Sequence, residues 1–303
     1  MKITIKLFLF ILLSGYGSDT IDEDTHKSAV NDSISASSHQ EVLQNLNISI
    51  LMDLSDRINP EKYPNATMEY YRRDVEYIKS VLNGFQAVVS NKRVRMIDDH
   101  VSAYFDPPPK SPEINSYADK MKQSFTRESV TSEAVQNVDQ VFAKNALAIY
   151  EQAIEDGKYV GSNTWGFFKN NVERYCIRDG YRNVLVILTD GYMYHIDQKR
   201  EEGNRTSFVT PERIRTLKLD DSNWKNKMLK QDIGFIPVNA NLSGLDVLVL
   251  GINPDNKNDY EEDVLKEFWG EWLKQMNVNK KEILLSDLPS NLDRTIQDFI
   301  INP

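Results

Sequence analysis

The sequence has a single cysteine, Cys176, only 4 histidines, and no apolar run long enough to cross a membrane. One thiol excludes an internal disulfide, and no Cys/His spacing is of the zinc-finger type. Neither a P-loop nor a GxGxxG string is present, so no phosphate-cradling loop is read. With 13 Gly and 11 Pro in 303 residues, a fibrous repeat is excluded. Positive charge is also short, 36 Lys and Arg against 45 Asp and Glu, for a formal net charge of −9. That balance argues against a chain held to nucleic acid by counterion release. What remains is 40% hydrophobic and 10% aromatic, too apolar for a disordered chain. The length suits one large α/β domain with additions.

The amino end reads as an export signal over residues 1–17. Lys2 and Lys6 flank the start, Leu7 to Leu13 is apolar, and Ser14, Gly15, Gly17 and Ser18 follow. As a helix the apolar run spans about 10 Å, against about 30 Å of bilayer core, so it is no transmembrane anchor. The stretch Leu13-Ser14-Gly15-Tyr16 resembles a bacterial lipoprotein signal, with Tyr16 in place of the lipid-accepting cysteine. A periplasmic or cell-envelope location is therefore expected, without the lipid. Residues 18–45 are rich in Ser, Asp and Asn and read as a solvated linker carrying His26 and His39.

From residue 46 to 303, short apolar runs alternate with amphipathic stretches. Ile48 to Met52, Val184 to Leu188 and Leu245 to Gly251 read as strands buried on both faces. Val94 to Ile97 and Val101 to Phe105 read as two more, and Ile283 to Leu285 as a last one. Met68, Tyr71, Val75, Ile78, Leu82 and Phe85 form one helical stripe, and Val264 to Met276 another. The expected fold is α/β: a three-layer, doubly wound, Rossmann-like and mostly parallel sheet. The segment 192–244, with Trp224, Phe235 and Ile236, is longer than an ordinary connection and reads as an insertion.

In such sheets ligands gather where strands end. Asp53 closes the first strand in Asp53-Leu54-Ser55-Asp56-Arg57, and Asp190 closes a later one in Thr189-Asp190-Gly191. Taken singly, each is also a common cap or turn residue. Between them lies the loop Gly161-Ser162-Asn163-Thr164. This ordered set resembles a von Willebrand factor type A (vWA) domain. The resemblance matches Asp53 and Ser55 to the first motif, Ser162 to the loop hydroxyl, and Asp190 to the later aspartate. It implies a metal-ion-dependent adhesion site in which these four residues hold Mg²⁺ or Mn²⁺, and an acidic group of a protein partner fills the open position. The departure is Arg57, where the family has a second serine: a guanidinium cannot ligate a cation. Asp56 offsetting its charge, or Arg57 turning outward, would spare the site.

Asp98-Asp99-His100 reads as a polar strand or turn, His195 as structural or solvated, and Cys176 as a small buried side chain. Two functions follow: a non-catalytic extracytoplasmic binding module with a degenerate metal site, or a Mg²⁺-dependent phosphoester hydrolase built on the strand-end carboxylates. The hydrolase lacks a convincing nucleophile or general base in the sequence.

Overall fold

In the computed structural model, residues 44–159, 161–238 and 241–303 are described. The expected export signal, and with it nearly all of the expected linker, lies outside them. β1 (Leu46–Met52) is buried along its whole length and leads through a 3-10 turn (Asp56–Ile58) into α1 (Tyr70–Ser90). β2 (Asp98–Tyr104), α2 (Pro112–Lys120), β3 (Lys122–Thr126), α3 (Ser132–Gln136) and α4 (Val138–Asp156) follow. Next come α5 (Thr164–Asn170), α6 (Val172–Cys176) and β4 (Arg182–Leu188). The insertion supplies β5 (Glu201–Glu202), β6 (Arg205–Thr206), α7 (Pro211–Thr216), α8 (Trp224–Gln231) and β7 (Gly234–Phe235). β8 (Leu245–Ile252), α9 (Glu261–Gln275), β9 (Lys280–Leu285) and α10 (Pro289–Ile301) end the chain.

The main sheet has six strands in the order β3-β2-β1-β4-β8-β9, all parallel except the edge pair β2–β3. Along β4 the side chains alternate between two cores, as the pleat requires. Val184, Val186 and Leu188 join the core under α1, α4 and α10, while Leu185 and Ile187 join the one under α5 and α9. The sheet is therefore covered on both faces, the expected three-layer α/β fold. Local signals set the helix starts: Ser111 and Thr210 accept from Ile114 N and Arg213 N, each followed by a proline.

Of the two strands expected between Val94 and Phe105, one forms. Val94–Met96 is a 3-10 turn with Val94 61% exposed, so its apolar residues reflect no burial. Only β2, starting at Asp98, continues into the sheet. β3 has no apolar run to betray it, since Phe125 alone among its residues is buried. The apolar residues from Trp165 to Tyr175 fall in two short helices, α5 and α6. Within the segment 192–244, β5 pairs with β6, which pairs with β7 in a separate three-stranded sheet.

β4 opens on Arg182, a buried residue that meets Asp246 of β8 at 2.9 Å. The same guanidinium donates to the carbonyls of Phe299, Ile300 and Asn302 at the end of α10. Among the described residues no helix is long and apolar enough to cross a membrane.

Candidate functional site

The strand order reverses at β1, which continues outward to β2 on one side and is joined by β4 on the other. Met52 pairs with Leu188, so the residues that follow, Asp53 and Asp190's neighbour Thr189, emerge side by side at this switch point. Asp53 Oδ1 accepts from Ser55 N at 2.7 Å, bending the chain into the 3-10 turn. The turn swings Arg57 inward, to 6% exposure. Its Nε donates to Asp53 Oδ2 at 3.2 Å, and one Nη donates to Asp74 Oδ2 at 2.6 Å and to Leu188 O at 3.2 Å. Tyr150 of α4 donates to that same Asp74 oxygen at 3.0 Å. Burial works against the charge on Arg57, but Asp74 and then Asp53 more than offset it and raise its pKa above the ordinary value. Asp56 does not neutralise Arg57; it pairs with Lys62. Nor does Arg57 turn outward.

Asp190 is held by a turn built from its neighbours. Gly191 N donates to Thr189 Oγ1 at 3.1 Å, Tyr192 N donates to Asp190 Oδ1 at 3.0 Å, and Trp269 Nε1 donates to Gly191 O at 2.9 Å. Gly191 has φ +97°, a conformation that a side chain would strain. Burial, then the nearby Asp53, push the Asp190 carboxyl up to about 7, with Arg57 opposing. The third segment is fixed from both sides. Ser162 Oγ lies 3.0 Å from Thr164 Oγ1, and Asn163 caps α5 while donating to Asp106 Oδ1 at 2.7 Å. Gly161, at φ +79°, lets this loop lie against the backbone of Tyr194, where an added Cβ would stand 2.6 Å from Tyr194 O.

Ser55, Ser162 and Asp190 line one cleft of about 760 Å³, with Arg57 beside them. Tyr63, Tyr70, Tyr192 and Tyr194 line it too, and the insertion adds Thr210, Pro211 and Glu212. Three of the four expected site residues therefore meet in one cavity. Asp53 does not line it: 6% exposed, it has its Oδ2 bonded to Arg57. As arranged, these residues do not fit a divalent ion. Both Asp53 oxygens are taken by donors, and a guanidinium stands among the carboxylates. Among the described residues no group of three His, Cys, Asp or Glu side chains is placed to hold a metal.

Asp74 was not among the residues expected at the site, yet it has a readable signal. It falls on the helical stripe of Tyr71, Val75 and Ile78, an inward position where a carboxylate needs a cation. Other residues fall outside the cleft. Asp99 accepts from Leu46 N and Lys92 Nζ, both at 2.6 Å, at the opposite ends of the strands. His195 is half-buried and Trp224 is packed in the second core. Cys176 is fully buried, which pushes its thiol up to about 12.

No family model and no curated protein matches the chain. Among solved structures it is similar to a pilus adhesin, SpaC from Lactobacillus rhamnosus GG, at 12% identity and a TM-score of 0.37. The match covers 86% of this chain and 31% of that one, so the chain spans about a third of that protein's length.

Proposed function

We propose that the chain is a non-catalytic, vWA-like binding module that works outside the cytoplasm and meets a protein partner at the β1–β4 cleft. The observation that carries this reading is the convergence of Ser55, Ser162 and Asp190, from three separate segments, on one cavity at the switch point. Its four tyrosines favour a macromolecular ligand, since such rings supply contact area and a hydroxyl at low entropic cost. Tyr63 and Tyr194 are 41% and 43% exposed at this surface. An acidic group on the partner would meet Arg57, the one cationic residue among the described lining, against Asp56, Asp190, Glu212 and Asp255 on the same walls. It would lack the second positive charge that a divalent ion brings, so hydrogen bonds from the tyrosines and serines carry more of the contact. The basic start and apolar run at residues 1–17 support export.

The test is selection of a displayed random-peptide library on the full chain, in wild type and in a Ser162→Trp variant that fills the cleft. Peptides enriched on the wild type and lost on the variant support the reading. Peptides held equally by both place the binding surface elsewhere. Turnover of p-nitrophenyl phosphate, abolished by Asp190→Ala, would favour the hydrolase. For location, fractionation that recovers the intact chain only from the cytosol rejects export.

A further inference from the structure

We infer that Arg57 is the resident cation of this site: its guanidinium, paired with Asp53 and Asp74, supplies the positive charge that a divalent ion would bring to Asp53, and makes the site independent of metal. The inference rests on the vWA-like placement of the site at the β1 and β4 ends, and goes beyond it by assigning what neutralises the carboxylates there.

Three observations carry it. The first is position. Arg57 follows Asp53 by four residues and the intervening 3-10 turn aims it back at the strand end, where it bonds Asp53, Asp74 and the carbonyl of Leu188. A side chain tethered to β1 thereby joins the end of β4 and the inner face of α1, a bridging role otherwise open to an ion. The second is saturation. Asp53 Oδ1 is held by Ser55 N and Oδ2 by Arg57, and Asp74 Oδ2 takes both Arg57 and Tyr150. A metal entering here must strip charge-assisted bonds inside a nearly dry site. The third is charge. A divalent ion within a few ångströms of a buried guanidinium is repelled in a medium that screens poorly, and Arg57 cannot yield by losing its proton. Its planar donors also suit carboxylates better than a lysine ammonium would.

With Arg57 gone, Asp53 and Asp74 would be left as two buried carboxylates short of a cation, so its loss should cost stability whether or not a metal is present.

The experiment is calorimetric titration of the full chain with MnCl₂, paired with thermal melts in Mn²⁺ and in EDTA, for wild type, Arg57→Ser and Arg57→Lys. The wild type is expected to show no saturable binding at millimolar Mn²⁺ and no change of melting temperature with either addition. Arg57→Ser should melt lower than wild type, and neither Mn²⁺ nor EDTA should change that loss. Arg57→Lys, which keeps a tethered positive charge, should stay blind to metal. Saturable Mn²⁺ binding by the wild type overturns the inference. So does an Arg57→Ser chain that melts with the wild type, since Arg57 would then not be what neutralises Asp53 and Asp74. Peptide capture lost in Ser162→Trp is a separate readout, so failure of the metal arm leaves the binding reading distinguishable.

Discussion

Tyr150 and Arg57 share one acceptor, the Oδ2 oxygen of Asp74, at 3.0 and 2.6 Å. Through it α4, α1 and the turn after β1 are tied at a single buried carboxylate. Asp74→Ala should therefore cost about 3–5 kcal/mol, because it leaves a buried guanidinium short of a partner. Tyr150→Phe, which removes one neutral donor, should cost about 1 kcal/mol. Urea unfolding of the two variants checks both. Equal losses would mean that the ion pair adds little beyond a hydrogen bond.

Gly161→Ala should destabilise the chain by more than about 1 kcal/mol, since φ is positive there and an added Cβ has no room beside Tyr194 O. The loop must then withdraw from Tyr194, so the cleft wall moves with it. Thermal melts measure the first effect, and the tyrosine side-chain NMR signals measure the second. An unchanged Tyr194 environment would count against this coupling of loop and wall.

His100 provides a pH dependence away from the cleft. Its Nδ1 is 2.8 Å from Ser124 Oγ, and its Nε2 is 3.4 Å from Arg178 and 3.3 Å from Asp98. Burial first, then Arg178, hold its pKa below the ordinary 6.5, with Asp98 opposing. The folded state thus favours the neutral ring. That contribution is fully present above about pH 6.5 and is lost as pH falls through the lower folded value. Stability measured from pH 7 downward should decline less steeply in His100→Gln than in wild type. Parallel curves would show that His100 is not the group responsible.

Cys176 should resist thiol reagents in the native chain and react fully once unfolded, as burial both blocks access and disfavours the thiolate. Ellman's reagent, with and without guanidinium chloride, gives the answer. Rapid labelling of the native protein would mean that α6 opens readily.

The sequence made much of this fold legible because its central strands are apolar on both faces. β1, β4 and β8 each announce themselves as an unbroken run. β3 stayed hidden, since an edge strand of Lys, Gln and Ser with one buried Phe has no pattern to read. At the site, Asp53 and Asp190 were readable from their place at strand ends. The direction of Arg57 was not, because a 3-10 turn of three residues, rather than the residue type, decides that it points inward. Asp74 was hidden differently, as the one carboxylate on a stripe otherwise read for its apolar members. Trp224, in the long insertion, is packed in the second core and does not line the cleft.

Arg182 carries a consequence for how the chain is made. The first residue of β4 lies in the middle of the sheet, yet its charge is met only by Asp246 and by carbonyls of residues 299, 300 and 302. A nascent chain that has released β1 through β4 from the ribosome still holds a guanidinium with nowhere to go but water. The carbonyls that close over this end of β4 come only with α10, more than a hundred residues later. A chain cut before α10 should therefore leave Arg182 with Asp246 alone and that end of β4 uncovered.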